Sequence, residues 1–133
     1  MSATGGQVRA SGPYAEHGGQ TWAIVSANKP QVRLVAPEGT RPPGFDDLAS
    51  GRWTRLVPRG DVARIVRVTT RARWRGNDVE VVQVRDGRCR VQGWTYPPPA
   101  EPEVGTPENT YWEAWVDATE LDAVVEQVDE VPL

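Results

Sequence analysis

The chain is poor in the residues that carry most enzyme chemistry. A single cysteine, Cys89, excludes an internal disulfide framework. A single histidine, His17, excludes a cage of imidazoles around a metal and leaves one candidate base for any hydroxyl nucleophile. No apolar run approaches the roughly 20 residues that cross a bilayer as a helix, and the opening MSATGGQVRASG has no apolar signal core. A cytoplasmic protein without a membrane segment is the expectation. There is no Gly-rich phosphate loop, because Gly18-Gly19 leads into strand-like sequence and no lysine follows it closely. The acids from Glu113 onward lack the alternating oxygen ligands and central glycine of a calcium loop. No catalytic residue, metal or cofactor is therefore expected. His17 reads as a loop residue, and Cys89 as a small buried hydrophobe in a strand.

What the chain does contain is turn formers, tryptophan and unevenly placed charge. Its 133 residues include 13 Gly, 12 Pro and 6 Trp, which favours short strands and many turns around a core of large rings. Apolar residues at 38% and charged residues at 25% fit a folded domain. The net charge of −3 conceals three regions. Residues 1–51 hold four bases and four acids, residues 52–99 eleven arginines and four acids, and residues 100–133 ten acids and no base. The segments carry 0, +7 and −10, which sums to −3.

The pattern is β throughout. In Arg71–Gln92 the apolar Ala72 and Trp74 alternate with Arg71, Arg73 and Arg75. Val79, Val81, Val82 and Val84 follow, then Asp86-Gly87 as a two-residue hairpin turn, then Cys89 and Val91 alternating with Arg88 and Arg90. An earlier stretch has the same plan. Sliding Gly19–Leu34 by 57 positions pairs Ile24 with Val81, Val32 with Cys89 and Leu34 with Val91. Sliding Trp53–Val66 by 59 positions pairs Trp53 with Trp112, Val57 with Val116, Val62 with Leu121, Ile65 with Val124 and Val66 with Val125. The two-residue difference falls in the Pro-rich loops 36–51 and 93–110.

An internal duplication follows from this. Each copy holds a hairpin, a long loop, a strand, a one-turn helical corner and a last strand, an order that resembles a small SH3-like barrel. The expected fold is mainly β: two tandem SH3-like repeats packed together, with short helical turns before the last strand of each. A flexible tail would cover residues 1–12, the first repeat 13–69 and the second 70–133. A helix over Ala118–Gln127, capped by Thr119, competes with this. The matching residues of the first copy, Gly60, Val62, Ile65 and Val66, favour a short turn followed by strand.

Two surfaces are candidates for function. Arg71, Arg73, Arg75, Arg88 and Arg90 on one hairpin face would suit nucleic acid. Trp74, however, has the parity of the core, and an acidic chain repels phosphate. The acidic C-terminal segment is the other partner open to these arginines. The second surface is the loop Trp94, Tyr96, Glu101, Glu103 and Glu108, with Asp117 and Glu120 after it. Aromatics in a proline-stiffened loop are common at protein contacts, and dense acid suits a partner with a basic surface.

The small-residue turn and strand, Gly44-Phe45, and Trp53 and Val57 followed by Asp61-Val62 together resemble the small duplicated immunity proteins encoded beside bacterial polymorphic toxins. The second copy has Val104-Gly105 where Gly-Phe would stand. This resemblance spans about residues 14–128. It implies a cytoplasmic, non-catalytic inhibitor that binds a cognate toxin domain, a nuclease being one class whose basic cleft acids would suit.

Overall fold

The computed structural model describes residues 8–25, 29–108 and 110–133, the side chains of residues 107 and 108 excepted. The protein is mainly β. Among the described residues the strands are β1 Gly12–His17, β2 Gln20–Val25, β3 Gln31–Val35, β4 Asp47–Ala49, β5 Arg52–Pro58, β6 Arg64–Trp74, β7 Asn77–Arg85, β8 Arg88–Gly93, β9 Gly105–Glu108, β10 Tyr111–Asp117 and β11 Leu121–Val131. Single 3-10 turns at Arg59–Asp61 and Ala118–Glu120 precede β6 and β11. The chain divides into two compact units. The first unit is Gly12–Arg67 with Val128–Leu133, and the second is Val68–Gln127 with the segment ending at Ser11.

In the first unit the hydrogen-bonded order is β4-β5-β3-β2-β1-β6. Gly18-Gly19 closes the β1–β2 hairpin with φ of 61° and 80°. That left-handed pair matches the twist of the strands it joins. Alternation decides which residues are covered: Val32 and Leu34 on β3 are fully buried, while Gln31 between the turn and the core is exposed. They join Ala15, Ile24, Phe45, Val57, Val62 and Ile65 in one core, with Trp22 and Trp53 at its margin.

In the second unit the order is β6-β7-β8-β10-β9, and β11 pairs with β6. Asp86-Gly87 forms the expected hairpin turn between Arg85 and Arg88, with φ of 52° and 76°. The core is built on Trp74 and Trp112, whose ring centroids lie 6.1 Å apart at 42°. Ala72, Val79, Val81, Cys89, Val91, Ala114, Val116 and Leu121 surround them. An aromatic pair in this tilted geometry adds about 1 kcal/mol to the burial of its surface.

Several expectations are revised. Arg71 to Trp74 is the end of the 11-residue strand β6. Val66, Val68, Thr70, Ala72 and Trp74 are buried in unbroken alternation, so nothing breaks the strand at residues 69 and 70. Arg75 is in the next turn, with Gly76, at φ of 50° and 82°. The helix considered over 118–127 does not form beyond its first turn. Val124, Val125 and Val128 are β-branched, and Ala123 has a φ of 52°, which no helix tolerates. The loops 36–51 and 93–110 contain the short strands β4 and β9. Residues 8–11 are not a loose tail: Ser11 N–H donates to the Val81 carbonyl and Thr70 N–H donates to Ser11 Oγ, both at 2.8 Å. The turn expected at Asn28-Lys29-Pro30 begins outside the described residues.

Candidate functional site

The loop that leaves β8 begins at Gly93, which lies directly opposite Trp112 on β10. With no side chain at 93, the Trp112 indole lies across the strand end, buried to 1% exposure. The next residues cannot reach the core and stand outside it, Trp94 at 55% and Tyr96 at 88% exposure. The Tyr96–Pro97 peptide is cis. Trp94, Tyr96, Pro98, Tyr111 and Trp112 line a cleft of about 230 Å³. The indole N–H of Trp112 is buried and has no hydrogen-bond partner among the described residues. Such groups are uncommon in folded chains.

The acids of this loop are gathered by one arginine. Arg75 lies over Trp74, its guanidinium carbon 4.6 Å from the ring centroid. Its Nη1 meets Glu101, and its Nη2 meets Glu103 at 3.0 Å and Glu120 at 3.2 Å. Glu120 Oε1 also accepts the indole N–H of Trp74 at 3.1 Å, which ties the cluster to the core. A hydrogen bond from its own backbone N–H, then one from Arg75, hold the Glu103 carboxyl below its ordinary value. The bond to Glu103 pushes the Arg75 guanidinium up. Three carboxylates around one guanidinium leave an excess of two negative charges.

Because Glu103 is depressed when folded, its contribution to stability is present above the ordinary 4.5 and is lost as pH falls through its lower folded value. Arg75→Gln is therefore expected to melt below the parent at pH 7, with the gap narrowing steadily below about pH 4.5. Thermal melts across that range check this. Because the cluster is partly exposed, the gap should also shrink in high salt. A gap independent of pH would show that the carboxylates do not carry it.

The other expected residues are placed as follows. Asp117 is apart from the loop acids and pairs with Arg88 at 3.2 Å. Arg90 pairs with Glu113 at 3.2 Å, and Arg73 approaches Asp78 at 3.6 Å. Arg71 alone of the five arginines has no ion-pair partner among the described residues. Four of the five arginines thus meet the chain's own acids. The Glu108 side chain lies outside the described residues. Tyr111 and Trp112 are additions to the expected loop, and so is Arg75 as its organiser. The Arg75-Gly76 pair was a legible signal, since it has the same residue-then-glycine form as Asp86-Gly87.

Cys89 is fully buried, and burial pushes its thiol up, away from reactivity. Among the described residues no three His, Cys, Asp or Glu side chains are grouped to hold a metal. No helix of the described residues is long and apolar enough to cross a membrane.

Fold and site define a small, mainly β protein with an aromatic cleft and an arginine-centred acid cluster around the loop that leaves β8. The chain belongs to the family described as "Uncharacterised conserved protein UCP033725", whose model matches residues 9–132. No curated protein and no solved structure matches it.

Proposed function

We propose that the chain is a non-catalytic protein-binding module of two SH3-like repeats, acting in the cytoplasm as an immunity protein that neutralises a cognate bacterial toxin domain. The observation that carries the binding role is the exposed pair Trp94 and Tyr96 at the rim of a cleft, on the same loop as an acid-rich cluster. Rigid aromatics lose little side-chain entropy when a partner covers them, and they dominate contact energies. The excess negative charge beside them suits a basic partner and would speed its association.

Support for the repeat comes from strand order. The first unit runs β4-β5-β3-β2-β1-β6 and the second β9-β10-β8-β7-β6-β11, so each strand has a counterpart in the same place. A 3-10 turn precedes the last strand in both. Val57 and Val116, and likewise Val62 and Leu121, are buried at matching positions.

The test is co-expression with the C-terminal domain of a secreted protein encoded beside this gene. The expected result is that the domain is toxic alone and harmless with this chain. Trp94→Ala with Tyr96→Ala should weaken the purified complex by about 100-fold, as loss of two central aromatics does, with the melting temperature unchanged. Charge reversal of Glu101 and Glu103 is the poorer test, because it would set lysine against Arg75 and unsettle the fold. No such neighbouring gene, or no protection, overturns the immunity reading. Unchanged affinity in the double variant overturns the assignment of the loop.

A further inference from the structure

The first unit holds a cleft of its own, also about 230 Å³, lined by His17, Gln20, Trp22, Pro43, Phe45 and Arg55. Its walls are held in place locally. The Trp22 indole N–H donates to the His17 carbonyl at 3.3 Å, and the Trp22 ring lies 4.6 Å from that of Phe45. Pro42 and Pro43 restrict the loop before Gly44, which takes a φ of 88°. Arg55, in the middle of β5, rests on that glycine. A Cβ at position 44 would meet Arg55 Nη1 at 3.1 Å and Cζ at 3.4 Å, so the missing side chain is what lets the guanidinium lie there.

The Arg55 side chain has no hydrogen bond, ion pair or ring contact among the described residues. The acids of the adjoining loop are taken by other arginines, Asp46 by Arg41 at 3.3 Å and Asp47 by Arg33 at 3.9 Å. Arg55 is half-buried as a residue, and its guanidinium has donors in a planar fork that an acceptor would satisfy. Here the fork opens beside an indole, a buried phenyl ring and two prolines.

We infer that this cleft binds a carboxylate carried on an apolar body. The guanidinium takes both carboxylate oxygens, a geometry that arginine matches and lysine does not. Trp22, Pro43 and Phe45 cover the apolar part. With Arg55 as the single permanent cation among the described residues that line it, the cleft suits one negative charge better than the two of a phosphate. The ligand can be a free aromatic or aliphatic acid, or the terminal or side-chain carboxylate of a peptide. This site does not depend on the loop at Trp94 or on the immunity reading.

Benzoate is the first probe, followed by NMR at the Trp22 indole N–H and the Gly44 amide of the full chain. Saturable shifts are expected at a Kd on the order of 1–10 mM, the reach of so small a ligand. Benzamide, the same shape without the charge, should bind at least about tenfold more weakly. Arg55→Gln should lose the response while keeping the amide spectrum of the folded parent, and Arg55→Lys should keep a weaker one. A peptide ending in an apolar residue with a free carboxylate, its amidated form, and the amidated form with an internal glutamate then separate the sources. If benzoate alone binds, the source is a free acid. The inference is overturned by equal binding of benzamide, by a full response in Arg55→Gln, by tighter binding of inorganic phosphate, or by no saturable shift up to roughly 50 mM benzoate.

Discussion

Gly93→Ala is expected to cost about 3 kcal/mol of unfolding free energy, a large share of the roughly 5–15 kcal/mol that holds a domain of this size together. A Cβ at 93 would overlap Cζ2 and Cε2 of Trp112 and come within 2.9 Å of its Cη2. The obstruction is the face of a ring, not the end of a flexible chain. Nor can that ring swing away, because it is buried to 1% exposure against Trp74. Either β8 and β10 part at Gly93 and Trp112, or the indole leaves its rotamer, and both cost packing. Urea unfolding followed by tryptophan fluorescence measures the loss. Trp112→Leu in the same chain should recover part of it, giving a double-mutant cycle with a coupling of opposite sign to the single effects. Stability within about 0.5 kcal/mol of the parent would show that Gly93 is replaceable and that the strand end yields.

Trp74→Ala is expected to cost about 4 kcal/mol, since removal of a fully buried large ring leaves a cavity that its neighbours only partly fill. Three consequences fall together at this residue. The core loses the partner of Trp112, Glu120 loses the donor at 3.1 Å, and Arg75 loses the ring 4.6 Å beneath its guanidinium. Trp74→Phe keeps much of the packing and the ring face but not the N–H, so its loss should be nearer 1–2 kcal/mol. The ratio of the two distinguishes packing from the polar tie to the acid cluster. A loss under about 1 kcal/mol for Trp74→Ala would contradict the placement of this ring at the centre of the second unit.

Much of this architecture can be read from local spacing. Asp86-Gly87 and Gly18-Gly19 mark hairpins because two left-handed residues in succession suit little else between apolar runs. Val32, Leu34, Cys89 and Val91 are buried as their alternation requires. The corner at Ala118–Glu120 followed by strand came from comparing two stretches that share apolar positions, where a single stretch would have admitted a helix. The same comparison was misleading for burial. Ile65 and Val66 are buried, whereas Val124 and Val125, at matching positions, are 39% and 62% exposed. Identical spacing does not say whether a strand has anything packed over it.

For the site, local pattern was a weaker guide. Trp94 and Tyr96 were legible as exposed aromatics because prolines follow them and no alternation includes them. The acids were legible as acids but not as partners of Arg75, and the arginine hairpin and the loop read as rival surfaces when Arg75 joins them. Arg55 gave no sign at all, being one arginine among many in a strand.

By itself, then, the order of residues determined strand, turn and buried face, because these depend on neighbours two to four positions apart. Only the tertiary structure decided which charges are spent within the molecule and which are left. Ion pairs such as Arg75 with Glu120 and Arg88 with Asp117 join residues 45 and 29 positions apart. A guanidinium's availability depends on which acids the register brings within about 4 Å of it. The loop before β4 carried Asp46 to Arg41, register carried Asp47 to Arg33, and Arg55 was left facing an aromatic cleft without an acid.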